Sequence, residues 1–511
     1  MLVRSFLACL ALTLFGQTAI AQTQRIQHVP APPANPNFVN SSYYQDDEEE
    51  DELVTDQEAL AKQMDEFHKR LKELEAGAES LKEDQSDGTF ADRLKEVEEI
   101  VEENVDSIGD IDSTFDDYVK NGHGDNRLKL YGRVHVDYWH FPSEGDDIDV
   151  LEGEDPQDRV EFRRMRFGVS GNVDDNMLYK IEIEFAGGNN PSYRDAYLGW
   201  DHLPYFNRVL IGNQKRPYGL DHLNSSRYNV FIERPFVVEA FNQDSRRLGI
   251  TSYGVSDDLR HNWRYGLYHM ELTQNGPGFF SDNVQPELAG RWATTWWYDE
   301  CSGGRGYGHF AVSGSVGAPD GLAGDENALR YRTRPEGRTE NRWLDTTRIP
   351  GADKAYLAGV EGVLNVGAFQ LTGEYLGTNV DRLNDFGSHV QFHGGYIQAS
   401  YFLTGEHTPW DRKSGTLGRV KPFENFFAVC DCDGHVQRGI GAWQLAARYS
   451  YLDLSDEDID GGRGRALTLA LNWHWNAYAR FQMNYIVGDI ESNSTVAGDY
   501  QIIGTRFMID F

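Results

Sequence analysis

The chain has 511 residues and a formal charge of −33, with 25% charged residues and four cysteines. So acidic a chain lacks the basic face that nucleic acid requires. Beyond its first 21 residues, no apolar stretch reaches the ~18 residues of a membrane helix. The acid excess has two parts: residues 1–126 hold 10 Lys+Arg against 29 Asp+Glu, and residues 127–511 hold 38 against 52.

Residues 1–21 read as a secretory signal: Arg4, an apolar run from Ser5 to Phe15, then Ala19-Ile20-Ala21, with cleavage expected before Gln22. A Pro/Asn/Gln-rich linker follows, and Asp46 to Glu52 is an unbroken acidic block, so residues 22–52 are expected to stay extended and solvated.

Residues 53–120 change to helical periodicity. Leu60, Met64, Phe67, Leu71, Leu74, Ala78 and Leu81 recur at spacings of four and three, and the pattern resumes from Phe90 to Tyr118. That spacing is a coiled-coil seam, with Asn104 on it as the polar residue that sets register and oligomer state. A single amphipathic helix lying on a membrane is the competing reading.

From Arg127 onward the period drops to two. Leu128, Leu130, Val134, Val136 and Tyr138 alternate with Lys129, Tyr131, Arg133, His135 and Asp137; Leu467, Leu469, Leu471, Trp473 and Trp475 repeat the pattern near the other end. Strands with one apolar and one polar face, ending in aromatics such as Trp139, Trp200, Trp297 and Trp475, suit a membrane barrel. Residues 127–511 provide for about 16 antiparallel strands, an all-β transmembrane barrel whose solvent is the lipid bilayer of an outer membrane. Its closing strand ends on Phe511, the aromatic end that barrel-assembly machinery reads. Cys301, Cys430 and Cys432 lack metal-finger spacing, and a disulfide from Cys301 to either of the others fits an oxidising compartment.

Parity then separates lumen from lipid. In Glu161–Val169, Met165, Phe167 and Val169 face out, so Arg164 and Arg166 face in, while Arg163 falls on the outer parity, at a strand end. The same count sends Arg133, Arg247, Arg448, Arg480 and Arg506 inward. Residues 127–511 carry 32 Arg against 6 Lys. Arginine's planar fork suits oxyanions, and an inward row of it lowers the barrier for anions. The bland alternative is that inward acids such as Glu182 and Glu184 pair with these arginines and merely brace the wall.

Several segments resemble the phosphate-selective porins O and P. They are Arg163-Arg164-Met165-Arg166-Phe167-Gly168, Arg194-Asp195-Ala196-Tyr197, Gly212 to Leu220, Phe231-Ile232-Glu233-Arg234, Tyr401 to Glu406 and Gly441 to Leu454, with Asn472-Trp473 and Asn484-Tyr485-Ile486 further on. The resemblance runs in order over residues 127–511 and does not cover residues 22–126. It implies a homotrimer of 16-stranded barrels, each narrowed by an infolded loop, passing inorganic anions such as phosphate without a cofactor. By motif, Arg164 and Arg166 would be wall arginines and Asp195 the constriction carboxylate. The loop would follow Lys215-Arg216-Pro217 and set Ser225 or Ser226 and Arg227 beside the anion. The scarcity of lysine departs from the family's phosphate-selective members.

The function expected is therefore a passive, anion-preferring pore, with a periplasmic coiled coil that could tether the membrane to a cell-wall polymer. A general, sugar or cation pore is the alternative, given inward Tyr131, Tyr197 and His135. A structural barrel with an incidental pore is another. A barrel enzyme would need a Ser-His or acid-His constellation; the sequence offers no Gly-x-Ser-x-Gly.

Overall fold

A computed structural model describes residues 128–511, apart from 145–147, 174–175, 188–190, 243–245, 273–283, 321–328, 428, 431–435 and 493–495. The signal peptide, linker and coiled coil expected over residues 1–120 lie outside the described residues.

Sixteen antiparallel strands close on themselves. They are β1 (Leu128–Glu144), β2 (Arg159–Val173), β3 (Met177–Glu184), β4 (Ser192–Leu203), β5 (Asn207–Lys215), β6 (Arg246–Val255), β7 (His261–His269) and β8 (Pro286–Tyr298). The circuit continues through β9 (Gly306–Gly317), β10 (Ala352–Val366), β11 (Phe369–Arg382), β12 (Val390–Phe402), β13 (Ala442–Asp456), β14 (Ile459–His474), β15 (Ala479–Ser492) and β16 (Val496–Asp510). Each strand pairs with the next, and β16 returns to β1 in a register that sets Arg133 opposite Asp510. Closure leaves no unpaired edge, which a spanning sheet in lipid must avoid.

Alternation decides sidedness. Leu445, Tyr449, Leu467, Leu469, Phe507 and Ile509 are exposed on the outer face, while Arg448, Thr468, Asn472, Asn484 and Arg506 are buried within. One rim carries six short turns, and by the habit of such barrels it is the periplasmic one. Trp473, Trp475, Phe481 and Phe507 form a girdle on the outer wall there, with Trp443 stacked on Trp473 at 4.9 Å. Trp139 is a correction. It is fully buried on the lumen side, packed over Gly504 and Gly337, because Tyr138 takes the outward position beside it.

The lumen is far from empty. Residues 216–242, between β5 and β6, fold inward and are buried along most of their length, as expected for the segment after Lys215-Arg216-Pro217. They carry two short helices, α2 (Leu220–Leu223) and α3 (Phe236–Phe241); α1 (Ile148–Glu152) lies in the connection from β1 to β2. Inward Leu376, Val380, Val390, Phe392, Leu452, Ile486, Ile490 and Ile502 make an apolar strip on β11 to β16. Ile232, Phe236, Val237 and Phe241 pack on it, together with Tyr331, Trp343 and Leu344 from the connection between β9 and β10. Each fully buried Val, Ile or Phe contributes roughly 1.5–3 kcal/mol. The infolded segments therefore settle against β11–β16 and leave the inner face of β1–β6 facing the remaining water.

Candidate functional site: a cationic constriction

Strand β2 supplies more arginine than a regular strand can. His135 pairs with Arg164 and the next residue, Val136, pairs with Phe162, so Arg163 is an extra residue in a bulge. A bulge breaks the two-residue period, and both Arg163 and Arg164 turn inward. Strand β4 repeats the device: Ile181 pairs with Ala196 and Ile183 with Tyr193, sending Arg194 and Asp195 in together. Parity alone misses Arg163. The legible signal is the spacing of outward apolar residues, since Phe162 and Met165, like Tyr193 and Ala196, are three apart rather than two.

These side chains meet the infolded loop around a cavity of about 270 Å³. Arg133 donates to Glu182 at 3.0 Å and to Ser226 Oγ at 2.9 Å, with Ser225 Oγ at 3.4 Å. Arg166 donates to Glu184 at 2.6 Å and Glu182 at 3.1 Å. Asp195 accepts from Arg246 Nε at 2.5 Å, and Lys180 Nζ stands 3.6 Å away. Arg163 grips Glu233 of the loop with two bonds, 2.6 and 3.0 Å. Lys215 Nζ donates to the carbonyls of Leu223 and Asn224, strapping the loop to the end of β5. Toward the outer rim the cavity is lined by Arg334, Arg338 and Arg342. Burial, and then the charge of Arg338, push Arg334 down to about 10, so it stays charged at neutral pH.

Among the described residues, thirteen arginines and lysines line this cavity against three carboxylates, Asp195, Glu233 and Glu239. Glu182 and Glu184 stand behind the front row and hold Arg133 and Arg166 in place. Pairing with inward acids is therefore real for individual arginines, yet the surface offered to a solute is strongly positive. In so narrow a cavity the low-dielectric walls focus the field of those charges.

Of the residues the sequence singles out, Arg133, Arg164, Arg166, Asp195, Lys215, Ser225 and Ser226 line this cavity. Four lie elsewhere. Arg227 points to the periplasmic rim, where its Nε meets Asp510 at 2.9 Å, though its guanidinium still lies 5.4 Å from the Tyr131 ring. Arg480 lies beside it and donates to the Asn229 carbonyl at 2.7 Å. Arg247 lines a separate cavity of about 440 Å³ behind α3. Arg448 is sealed against Glu336 of the β9–β10 connection at 2.5 Å. Parity placed Arg247, Arg448 and Arg480 on the inner face, but it gives side and not depth; Arg227, expected beside the anion by motif, is a correction, because Asp510 holds it toward the rim. Sequence reasoning missed Arg194, Arg234, Arg246 and Arg264, which add to the lining from a bulge, the loop, a strand end and the middle of β7. Cys301 is exposed at the periplasmic rim; Cys432 and the Cys430 side chain, its expected partners, lie outside the described residues.

A closed barrel with apolar outer faces, narrowed by a loop that meets a charged wall, defines an outer-membrane porin, a channel rather than an enzyme. The chain belongs to the family described as phosphate-selective porin O and P, whose model matches residues 128–511. An uncharacterised protein of Caulobacter vibrioides is 26% identical over 400 residues, covering 76% of this chain and 75% of that protein. Among solved structures, the outer membrane channel DcaP of Acinetobacter baumannii is 13% identical, with TM-score 0.46 over 76% of this chain and 97% of that one. OmpT of Vibrio cholerae, in its trimer form, is 14% identical, with TM-score 0.45 over 75% and 99%.

Proposed function

We propose that the protein is a passive anion-selective porin whose constriction favours phosphate and phosphate-like oxyanions. The observation that carries this reading is the cavity lining, among the described residues, of thirteen cations against three carboxylates. Arg133 and the Ser225 and Ser226 hydroxyls can replace part of an oxyanion's hydration shell. Asp195, already held by Arg246 and Lys180, keeps binding weak enough for release. A sugar pore would present its aromatics as a slide. Tyr131 is instead buried, with Lys180 5.2 Å and Arg227 5.4 Å from its ring centre.

The family resemblance supports a homotrimer. The heptads support a periplasmic coiled coil over residues 53–120, after a cleaved signal (1–21) and a linker (22–52), within reach of cell-wall polymer. Phe511 serves as the assembly signal. The selectivity reading is tested by titrating inorganic phosphate against single-channel chloride current. Block is expected in the wild type. In Arg133→Ala it should weaken about tenfold or more, as suits a charge-assisted hydrogen bond worth roughly 1.5–3 kcal/mol. Chloride current indifferent to phosphate would remove the phosphate preference.

A further inference from the structure

The connection from β12 to β13, residues 403–441, departs from the short-turn habit of its rim and grips the barrel wall from both sides. Residues 408–417 of it enter the lumen. Tyr307 Oη donates to the Thr408 carbonyl at 2.9 Å, Trp410 Nε1 donates to Thr295 at 3.0 Å, and Arg264 and Arg291 hold the Ser414 and Gly415 carbonyls at 2.9 Å. Leu417 N–H then donates to Asn224 of the infolded loop at 3.0 Å. The described residues 423–427 and 438–441 lie over the outside. Phe426 N–H donates to the Trp475 carbonyl at 2.6 Å, and its ring lies edge-on to Trp473 at 4.6 Å. The Ile440 carbonyl accepts both the Trp443 and Trp473 indole N–H groups, at 3.1 and 2.8 Å.

The outward-facing residues at both ends of this connection present apolar side chains to the surroundings. Phe423 is 65% exposed, Phe427 62%, Ile440 59% and Leu403 57%. In water that cluster would be costly, because exposed apolar surface forgoes the stabilisation that burial brings. The cluster is continuous with the aromatic girdle through Phe426, and the girdle already marks the membrane interface. Lys421 and Arg438 are exposed beside it, on the same connection. Aromatic rings with flanking cations are the composition that seats a segment at the level of lipid headgroups.

We infer that Phe423, Phe426 and Phe427, with Leu403 and Ile440, form an apron inserted into the periplasmic leaflet, its occupant a glycerophospholipid whose phosphate meets Lys421 and Arg438. The same connection thus joins the lipid surface to the hairpin that abuts the infolded loop inside. The inference requires the barrel to sit in a membrane but not that the pore prefer anions.

The test uses the full-length chain carrying Phe427→Cys, with Cys301, Cys430 and Cys432 replaced by Ser, labelled with bimane. The protein is reconstituted into phosphatidylethanolamine–phosphatidylglycerol vesicles. Leu467→Cys, midway along β14, serves as a mid-wall reference, and Phe423→Cys as a second reporter if the first folds poorly. Nitroxide-bearing phospholipid with the label near the glycerol level should abolish most of the emission, while aqueous iodide should have little effect. Quenching by iodide would place the apron in water and overturn the inference. Protection from both quenchers would overturn it too, by showing a second copy of the chain on that surface.

Discussion

Gly219 shows how one residue fixes the loop that narrows the pore. It has φ +80°, and a Cβ there would lie 2.9 Å from the Glu374 carboxylate. That carboxylate accepts the Leu220 and Asp221 N–H groups at 2.7 and 2.9 Å, and the Tyr396 hydroxyl at 2.7 Å. It therefore satisfies the first turn of α2 from the barrel wall, in place of a side-chain cap. Gly219→Ala should cost about 1–3 kcal/mol of loop docking. The expected readout is a larger and noisier single-channel conductance with unchanged barrel melting, and an unaltered trace would contradict this role. Sequence reasoning reached the residue types here but not this partner, because Glu374 lies 154 residues away from Leu220. Long-range pairing is invisible to a local pattern. The bulge at Arg163 is a different kind of miss, since the three-residue spacing of Phe162 and Met165 was open to reading.

At the scale of elements, the loop between β5 and β6 is held by two unlike interactions. One flank is apolar: Phe236, Val237 and Phe241 pack on β11–β16. The other is ionic, with Glu233 between Arg163 and Arg506. Phe236 is fully buried, so Phe236→Ala should loosen docking by about 3–5 kcal/mol, the range for emptying a buried Phe. The pore should widen, with higher conductance and weaker phosphate block. An unchanged conductance would show that the ionic flank alone holds the loop. The inward fold of this segment was an expectation carried by family resemblance. The inward fold of residues 408–417 was not anticipated, since Thr408 to Leu417 reads as an ordinary polar turn and its partners Thr295 and Arg264 lie on distant strands.

For the molecule as a whole, period-two alternation carried the sequence reading furthest. Strand count, closure and lipid sidedness follow from it, and they hold for β1 through β16. The acidic formal charge is opposite in sign to the cavity lining. Total charge averages over surfaces, and arginine at inward positions decides the pore. A chain lacking residues 53–120 should give trimers that dissociate at lower temperature in detergent, if the heptads knit the protomers together. Equal stability would remove that role. The most direct measurement on the central claim is the reversal potential of single wild-type channels in a potassium chloride gradient. A cationic constriction predicts a potential of the sign set by chloride; a potential set by potassium would contradict it.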